Sequence, residues 1–505
     1  MSDGAGGFTG AQVTVTIDQD PDKVAVFSEI LEDSSSPDGA MNANGVAVSD
    51  DQLALVVNRV LEGSESASSP MEARYQAAIQ AETGFSNLPT SAQVQAIIDA
   101  ENLDLGTLFQ GQSLFNESYV TGWDVSLVSN MEKMFENANA FNQDISNWDV
   151  GSVTNMKEMF EGDHVFNQDI SAWDVSNVTT MQDMFDDARV FNQDISGWDV
   201  SNVVNFEEVF ENAYAFNQDI SSWDMSSATT IKGMFEGASS FDQDITDWDI
   251  SNVTNMIGLF EGADVFNQNV GIWDVSGVSE MRGMFDRASE FNQDIGDWDV
   301  SNVTDLSSIF SQALAFNQDI GNWDVSNVLN LSSMFNQASS FNQDISGWDV
   351  SSVEFSISMF TETSTFNQDI SGWDVSSLFN SNDMFRDAQA FNQDLGNWDI
   401  SALRFADSMF DNSALSIGNF NSLLAGWSTL DTTSGETAIQ QGVTLGTSGL
   451  TYVDATSFDH LQTVYGWTIE GATLADGVDL GTASGDVIDV SQGNSPQVIH
   501  VSSPV

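Results

Sequence analysis

The sequence predicts an α/β repeat protein, a solenoid of about 12 rungs of 25 residues with a parallel β-sheet face. The first observation is a ten-residue phrase that recurs with small changes, such as FNQDISNWDV from Phe141 and FNQDISGWDV from Phe191. The second is a tryptophan every 25 residues from Trp123 to Trp398, without an insertion. Because a rung of this size cannot bury its own apolar face, the rungs are expected to stack.

A short strand is predicted where each tryptophan stands. Ile145, Trp148 and Val150 follow the spacing L-x-x-L-x-L of the strand in a leucine-rich repeat. Side chains alternate along a strand, so Asp149 is expected to point outward between two buried neighbours. The fold class is therefore leucine-rich-repeat-like, and the tryptophans are expected in the core.

A short helix or helical turn is predicted next in each rung, with Thr154 or Asn155 as its N-cap. Four apolar residues there have the spacing of one helix face: Val153, Met156, Met159 and Phe160. One strand, one helical segment and two tight corners then complete a rung.

Residues 1–113 do not repeat, and they are predicted to form a helical region that caps the first rung or docks the solenoid. The stretch FTGAQVTVTI alternates like a strand. Four later stretches are predicted helices: DPDKVAVFSEILEDS, SDDQLALVVNRVLEGS, SPMEARYQAAIQAETGF and PTSAQVQAIIDAEN. The solenoid itself is assigned to residues 114–410.

A small α/β cap is predicted over residues 411–470, to cover the last rung. It is expected to hold a helix near Phe420–Leu424, strands around Val443 and Tyr452, and a helix around Phe458–Tyr465. The remaining residues, 471–505, form a tail rich in Gly, Ser, Asp and Val, with a role in self-assembly or export.

The charge of the chain limits its partners. There are 76 acidic residues against 11 basic ones, a formal charge of -65, which repels nucleic acid and anionic lipid. The absence of cysteine excludes disulfides and thiolate zinc sites. No stretch of 18 apolar residues indicates a membrane span, and the N-terminus shows no Sec signal peptide.

Stacking would place the aspartate after each tryptophan in one exposed column, with neighbours about 4.8 Å apart. Like charges at this spacing repel by roughly 0.8 kcal/mol per pair in water. The column is therefore either a solvated face or a surface for cations or a ligand. The ligand-binding candidates are Asp149, Asp174, Asp199, Asp224, Asp249, Asp274, Asp299, Asp324, Asp349 and Asp374.

A second column of acids starts at Asp144 and is expected to play a structural part. One of its members is Asn269, which keeps the oxygen acceptor and loses the charge. Such a position is expected to cap backbone N–H groups at a corner, leaving the first column to face solvent. Asn142 and its counterparts are expected to form a side-chain ladder.

No metal site is assigned and no cofactor is predicted. Calcium is a weaker alternative, because acidic columns offer oxygen ligands but no Asp-x-Asp-x-Asp-Gly loop occurs. The three histidines lie in different regions, and no motif of a hydrolase, a P-loop or a zincin is present. Nothing distinguishes one rung chemically, so no catalytic residue and no enzyme activity are predicted.

The phrase FNQDIS-x-WDVSNVT-x-M-x-x-MF-x-x-A resembles the repeats of the BspA-like leucine-rich repeat surface proteins, the DUF285 group. The resemblance covers about Trp123 to Phe410, and the stretch from NFNSLLAGWSTL resembles the segment that closes such arrays. It implies an extracellular, non-enzymatic protein engaged in adhesion or binding. The chain differs from that family in lacking a visible signal peptide, a lipobox cysteine and an LPxTG anchor.

The expected function is that of a non-enzymatic, highly acidic repeat protein, displayed outside the cell or on its surface, in adhesion or in ligand or protein binding. One alternative is a phage virion protein, either structural or receptor-binding, such as a fibre or decoration subunit. A third alternative is an intracellular scaffold. The expected partner is a protein or glycan on a surface, without nucleic acid or a membrane span. Self-assembly through the N-terminal region or the tail is also expected.

Overall fold

A computed structural model describes residues 12–16, 24–28, 105–116, 118–430 and 439–475 of the chain. It divides into two compact units, Met1–Val203 and Val204–Val505, which are called the first and the second unit here. Each unit is described by itself.

The first described element is an antiparallel pair, β1 (Gln12–Thr16) and β2 (Val24–Ser28), with Thr14 opposite Val26. β1 confirms the strand predicted in FTGAQVTVTI. The helix predicted over DPDKVAVFSEILEDS is wrong at β2, because the β-branched valines of VAVFS favour a pleated strand once a partner strand is present. The other three helices predicted before residue 105 lie outside the described residues.

Backbone hydrogen bonds join successive 25-residue repeats along the segment that contains methionine and phenylalanine. In the first unit, Met131 N donates to Asn155 O (2.9 Å) and Phe135 N donates to Met159 O (2.9 Å). In the second unit, Phe260 N donates to Met284 O in the same way (2.9 Å). This parallel pairing of equivalent positions makes the chain a repeat protein in its structure as well as in its sequence.

The short helix or helical turn predicted in each repeat is wrong. The segment is a run of tight turns, in which Met134 N donates to Met131 O and Ala138 N donates to Phe135 O. The third residues of these turns, Lys133 and Asn137, have φ of 60° and 58°. A positive φ suits a type II turn and excludes an α-helix. Thr154 and Asn155 therefore cap no helix.

The strand predicted at each tryptophan is also wrong, although the prediction that tryptophans of successive repeats are neighbours is correct. Within residues 118–430, the Trp-Asp segments form no strand; their backbone closes turns, as where Val153 N donates to Val150 O (2.8 Å). The indoles of Trp148 and Trp173 nevertheless stack, with ring centroids 6.5 Å apart and planes at 3°. The parallel backbone pairing lies on the methionine and phenylalanine segment, where the helix had been expected.

Aromatic side chains fill the core of each repeat. In the first unit, the ring of Phe160 stacks on Phe166 at 4.1 Å and on Phe185 of the next repeat at 5.6 Å. In the second unit, apolar side chains including those of Leu331 and Met384 line a cavity of about 10 Å³. This cavity has space for at most about one water molecule, so the apolar side chains around it are closely packed.

The C-terminal region contains two helices and four short strands. They are α1 (Ile417–Ser428), β3 (Thr444–Gly446), β4 (Thr451–Tyr452), α2 (Ala455–Val464), β5 (Thr468–Glu470) and β6 (Thr473–Leu474). β3 pairs with β5 and β4 with β6, both in parallel. Leu445 bridges Ala406, which continues the backbone pairing of the repeats. All four elements predicted here are found; the residues after 475 lie outside the described part.

Candidate functional site

The aspartates that follow the tryptophans are exposed at every candidate position, in both units. They are called the Trp-Asp column. Its members in the first unit are Asp149, Asp174 and Asp199, and those in the second unit are Asp224, Asp249, Asp274, Asp299, Asp324, Asp349 and Asp374. The predicted orientation of these carboxylates is correct, even though no strand carries them.

One oxygen of each carboxylate in the Trp-Asp column is held by its own turn. Ser176 donates to Asp174 Oδ1 from its backbone N (3.1 Å) and from its hydroxyl (2.6 Å). The serine hydroxyl and then the serine N–H lower the pKa of Asp174 below its ordinary value. Among the described residues, none donates to Oδ2 of the ten candidates, so that oxygen can accept from a ligand or from water.

The second column of acids makes the same contact. Ser196 N donates to Asp194 Oδ1 (3.0 Å), and Gly271 N donates to Asn269 Oδ1 (3.0 Å). The prediction that Asn269 caps a backbone N–H is confirmed. The prediction that the two columns perform different work is wrong for hydrogen bonding, because QDIS and WDVS share the spacing Asp-x-Ser that closes such a turn.

The predicted asparagine ladder is confirmed. Asn142 Oδ1 accepts from Asn167 N (3.1 Å) and from Gln168 Nε2 (2.8 Å) in the next repeat. Where the second unit has Asp242 instead, its Oδ1 accepts from Asn267 N at 3.0 Å. The ladder therefore requires a side-chain oxygen at this position rather than an amide.

Neighbouring repeats bring like charges close enough to interact. In the first unit, hydrogen bonds from Ser146 lower the pKa of Asp144, and repulsion by Asp169 opposes that shift. In the Trp-Asp column of the second unit, Ser351 lowers the pKa of Asp349 while Asp324 opposes it. Each unit therefore presents carboxylates that are anchored by turns and that repel one another along the column.

The methionine and phenylalanine segments carry the backbone hydrogen bonds between repeats, and the side of the repeats that they form is called the bonded face. A cluster that the sequence analysis missed lies on the bonded face of the first unit. Oxygens of Glu136, Glu158 and Glu161 all lie within 4.8 Å of one another. Lys133 Nζ lies 3.2 Å from Glu136 Oε2 and also contacts Glu158, while Lys157 Nζ lies 3.0 Å from Glu158 Oε1. The two ammonium groups therefore already supply positive charge to these three carboxylates.

Protonation completes the balance of charge in this cluster. Burial, followed by a hydrogen bond with Glu158, raises the pKa of Glu161 to about 8. Burial opposes the charge of Glu158 as well, but hydrogen bonds from Lys133 and Lys157 lower its pKa below the ordinary value. These opposite shifts favour the proton on Glu161 and the negative charge on Glu158.

Asp163 also distinguishes this part of the first unit. Its side chain is 0 % exposed, and it occupies the core position of Ala138 and Ala188 in the adjacent repeats. Burial raises the pKa of Asp163 to about 9, and the N–H of Val165 only partly offsets this. Neither of its oxygens has a hydrogen bond of normal geometry among the described residues. The expectation that no rung is chemically special is therefore wrong.

The neighbour of Asp163 contacts a carboxylate of the next repeat. His164 Nε2 lies 2.7 Å from Asp187 Oδ2, and Arg189 Nε donates to Asp187 Oδ1 at 2.8 Å. Burial raises the pKa of Asp187, but the hydrogen bonds from Arg189 and His164 outweigh it and lower that pKa. These groups could have been found by comparing the repeats, because they stand where the phrase departs from its consensus.

The hydrogen bonds between successive repeats and the exposed carboxylates define the class of this protein: an acidic protein of 25-residue repeats. A family model described as "Mycoplasma protein of unknown function, DUF285" matches residues 103–219, 193–281, 258–364 and 347–446. These matches cover more than half of the 505 residues, and the chain belongs to this family. No curated protein and no solved structure matches the chain.

Membrane insertion through a helix finds no support in the described part of the chain. None of the helices there is both long enough and apolar enough to cross a bilayer.

Proposed function

We propose that this chain is a non-enzymatic binding protein, displayed outside the cell, that engages a protein or glycan ligand through the Trp-Asp column. The observation that carries this proposal is the fixed geometry of ten exposed carboxylates. Each is oriented by the N–H of the residue two positions later, as at Asp274, where Ser276 N donates at 3.1 Å. Preorientation lowers the entropy that a side chain loses on binding.

We infer further that the repeats of each unit form a leucine-rich-repeat-like solenoid of the BspA-like kind. The parallel bonds between equivalent positions and the stacked indoles support this inference. The family supports it too, since its model matches four times in tandem. A surface protein in adhesion is the function that this resemblance implies.

The uniformity of the carboxylates supports binding rather than catalysis. General acid and base groups need environments that move their pKa values apart. In the Trp-Asp column, the serine two residues later lowers the pKa of Asp174, Asp274 and Asp324 in the same direction. A series of equal groups suits a multivalent surface better than a single reaction centre.

Display outside the cell is tested by labelling with antibodies against residues 204–430. Intact producing cells and purified phage particles are labelled in parallel, with permeabilised cells as the control. Label on intact cells supports the surface protein. Label on particles instead supports the alternative, a virion fibre or decoration protein. Label only after permeabilisation contradicts both.

Binding is tested with a fourfold variant of the second unit, in which Asp274, Asp299, Asp324 and Asp349 become Asn. The matched control changes four acids of the second column in the same unit, Asp294, Asp319, Asp344 and Asp369, to Asn. Both variants lose four charges and keep the turn acceptor, as Asn269 shows. We expect beads that carry the first variant to lose adhesion to cell surfaces, and beads that carry the control to retain it. Equal adhesion by both would contradict a role for the Trp-Asp column.

A further inference from the structure

Three phenylalanines form a cluster on the outside of the second unit, near its C-terminal repeats. The ring of Phe379 lies 6.2 Å from that of Phe355 and 5.3 Å from that of Phe405, at angles of 73° and 71°. Phe405 is 44 % exposed, and the other two are half-buried. The three residues are called the aromatic patch.

The backbone pairing of three consecutive repeats brings the aromatic patch together. Phe355 bridges Asn380 in parallel, and Asn380 bridges Phe405. Phe379 stands one residue before Asn380, where its N–H donates to Glu354 O at 2.9 Å. The patch is therefore fixed on the bonded face of the repeats and does not depend on a loop.

Most earlier repeats of this unit have a polar residue at the position of Phe379, such as Thr229 and Thr254; Val204 and Leu329 are the apolar exceptions. Thr229 Oγ1 donates to Val204 O (3.0 Å), and Thr254 Oγ1 donates to Thr229 O (3.3 Å). These side chains stabilise the pairing by bonding to the preceding repeat. A phenylalanine forms no such bond and leaves apolar surface exposed, so the fold itself does not require the aromatic patch.

Leu329 and Arg404 extend the patch at its two ends. Leu329 is 44 % exposed and accepts at its carbonyl from Glu354 N (2.9 Å), while Arg404 N donates to Phe379 O (3.0 Å). None of the described residues forms an ion pair with Arg404, although Arg386 lies 3.0 Å from Asp383. Exposed aromatic rings and an exposed arginine have the composition of protein interface hot spots.

We propose that the aromatic patch, with Leu329 and Arg404, is a docking site for a protein partner that presents an apolar cluster within a basic rim. Exposed Glu354 and Asp407 stand beside the patch, on a chain of formal charge -65, and favour such a rim. A second copy of the chain carries the same charge and is repelled. A glycan stacks on ring faces, whereas the edge-to-face packing partly covers them. The inference rests on the proposed binding function, but it uses residues outside the Trp-Asp column.

The test uses the full chain and a triple variant in which each phenylalanine takes a residue of its own position in other repeats: Phe355→Asn, Phe379→Thr and Phe405→Asn. The matched control is Thr254→Ala with Thr304→Ala, at equivalent positions outside the patch. Fluorescence anisotropy measures binding of labelled synthetic peptides with alternating Leu and Lys, Ser and Lys, or Leu and Glu. We expect the triple variant to bind the Leu-Lys peptide at least about tenfold more weakly than the parent and the control. Binding of the Ser-Lys peptide should be unchanged, because the acidic field remains.

Equal affinity of the parent and the triple variant for the Leu-Lys peptide would overturn the proposal. Self-association of the parent in sedimentation velocity that the triple variant loses would overturn it in favour of a second copy. If the parent binds a neutral polysaccharide and the triple variant does not, the proposal would be overturned in favour of a glycan ligand. If the triple variant fails to fold, Phe405→Asn alone, at the most exposed ring, gives the same comparison. The fourfold variant of the Trp-Asp column distinguishes the failure of the two proposals. Full adhesion by that variant would contradict binding through the Trp-Asp column but would not affect docking on the aromatic patch.

Discussion

The indole Nε1 of Trp273 donates a hydrogen bond to the backbone carbonyl of Ile245, 3.2 Å away in the preceding repeat. The indole is 4 % exposed, and its ring stacks on Trp248 at 6.5 Å. Replacing Trp273 with Ala removes both the stack and this bond. We expect a loss of about 3–5 kcal/mol in the free energy of unfolding, measured by denaturant titration. An unchanged unfolding curve would contradict burial of this indole.

The variant Trp273→Phe separates packing from hydrogen bonding. It keeps an aromatic ring in the stack but leaves the carbonyl of Ile245 without its donor. We expect it to cost less than Trp273→Ala and still at least about 1 kcal/mol, the usual penalty for an unpaired buried acceptor. Equal losses for the two variants would show that the hydrogen bond, and not the ring, dominates.

The shared turn geometry predicts that both acid columns respond alike to loss of the acceptor. Asp194→Asn and Asp174→Asn should be close to neutral, as Asn269 keeps the same bond in its own repeat. Asp194→Ala and Asp174→Ala should each cost about 1 kcal/mol, because Ser196 N and Ser176 N lose their acceptor. Thermal unfolding of the four variants checks this. A loss confined to one column would contradict the shared role.

Repulsion along the Trp-Asp column predicts a salt-dependent gain. The fourfold variant with Asn at positions 274, 299, 324 and 349 should melt about 2–4 °C higher than the parent at low salt, and the difference should shrink at high salt. Calcium should leave both melting temperatures unchanged, since a solvated column needs no bound cation. A variant that melts lower than the parent, with calcium stabilising the parent alone, would identify the column as a cation site instead.

Because Asp163 is buried and its pKa is raised, we expect the free energy of unfolding to depend on pH. Its pKa of about 9 in the folded chain lies above the roughly 3.9 of an unfolded aspartate, so the folded state binds the extra proton between these values. The stability contributed by this group is therefore complete below about pH 4 and is lost as the pH rises towards 9.

The variant Asp163→Ala carries the residue found at position 138. It should be more stable than the parent at pH 8 and should show a flatter dependence of stability on pH. The largest change expected in that slope is about 1.4 kcal/mol per pH unit. Asp163→Asn, which is uncharged but still polar, serves as the control and should flatten the slope as well. A slope that both variants retain would place its origin in other groups.

The sequence alone determined the features that depend on the period of the repeat. A tryptophan every 25 residues predicted that Trp148 and Trp173 are neighbours, and a repeated pattern made their burial and the exposure of Asp149 predictable. The role of Asn269 was predictable because the substitution preserves an oxygen and removes a charge. The helices α1 and α2 were predictable because their apolar spacing is not shared with the repeats.

The tertiary structure decided which segment carries the backbone pairing. Val153, Met156 and Met159 have a spacing that suits a helix face as well as a run of turns that points apolar residues inward. The choice depends on where the N–H groups find acceptors, and in the structure every second one donates to the next repeat, as Phe160 N does to Met184 O (3.0 Å). A local pattern does not contain that long-range contact.

The same limit applies to the groups that distinguish individual repeats. Asp163 and Phe379 are visible in the sequence as departures from the phrase, but their environments differ completely: one is buried in the core and the other lies on the bonded face. The sequence therefore determined the repeat, its period and the columns of like residues. Only the tertiary structure decided which of the residues that depart from the repeated phrase are exposed to solvent, because burial depends on how each repeat packs against its neighbours.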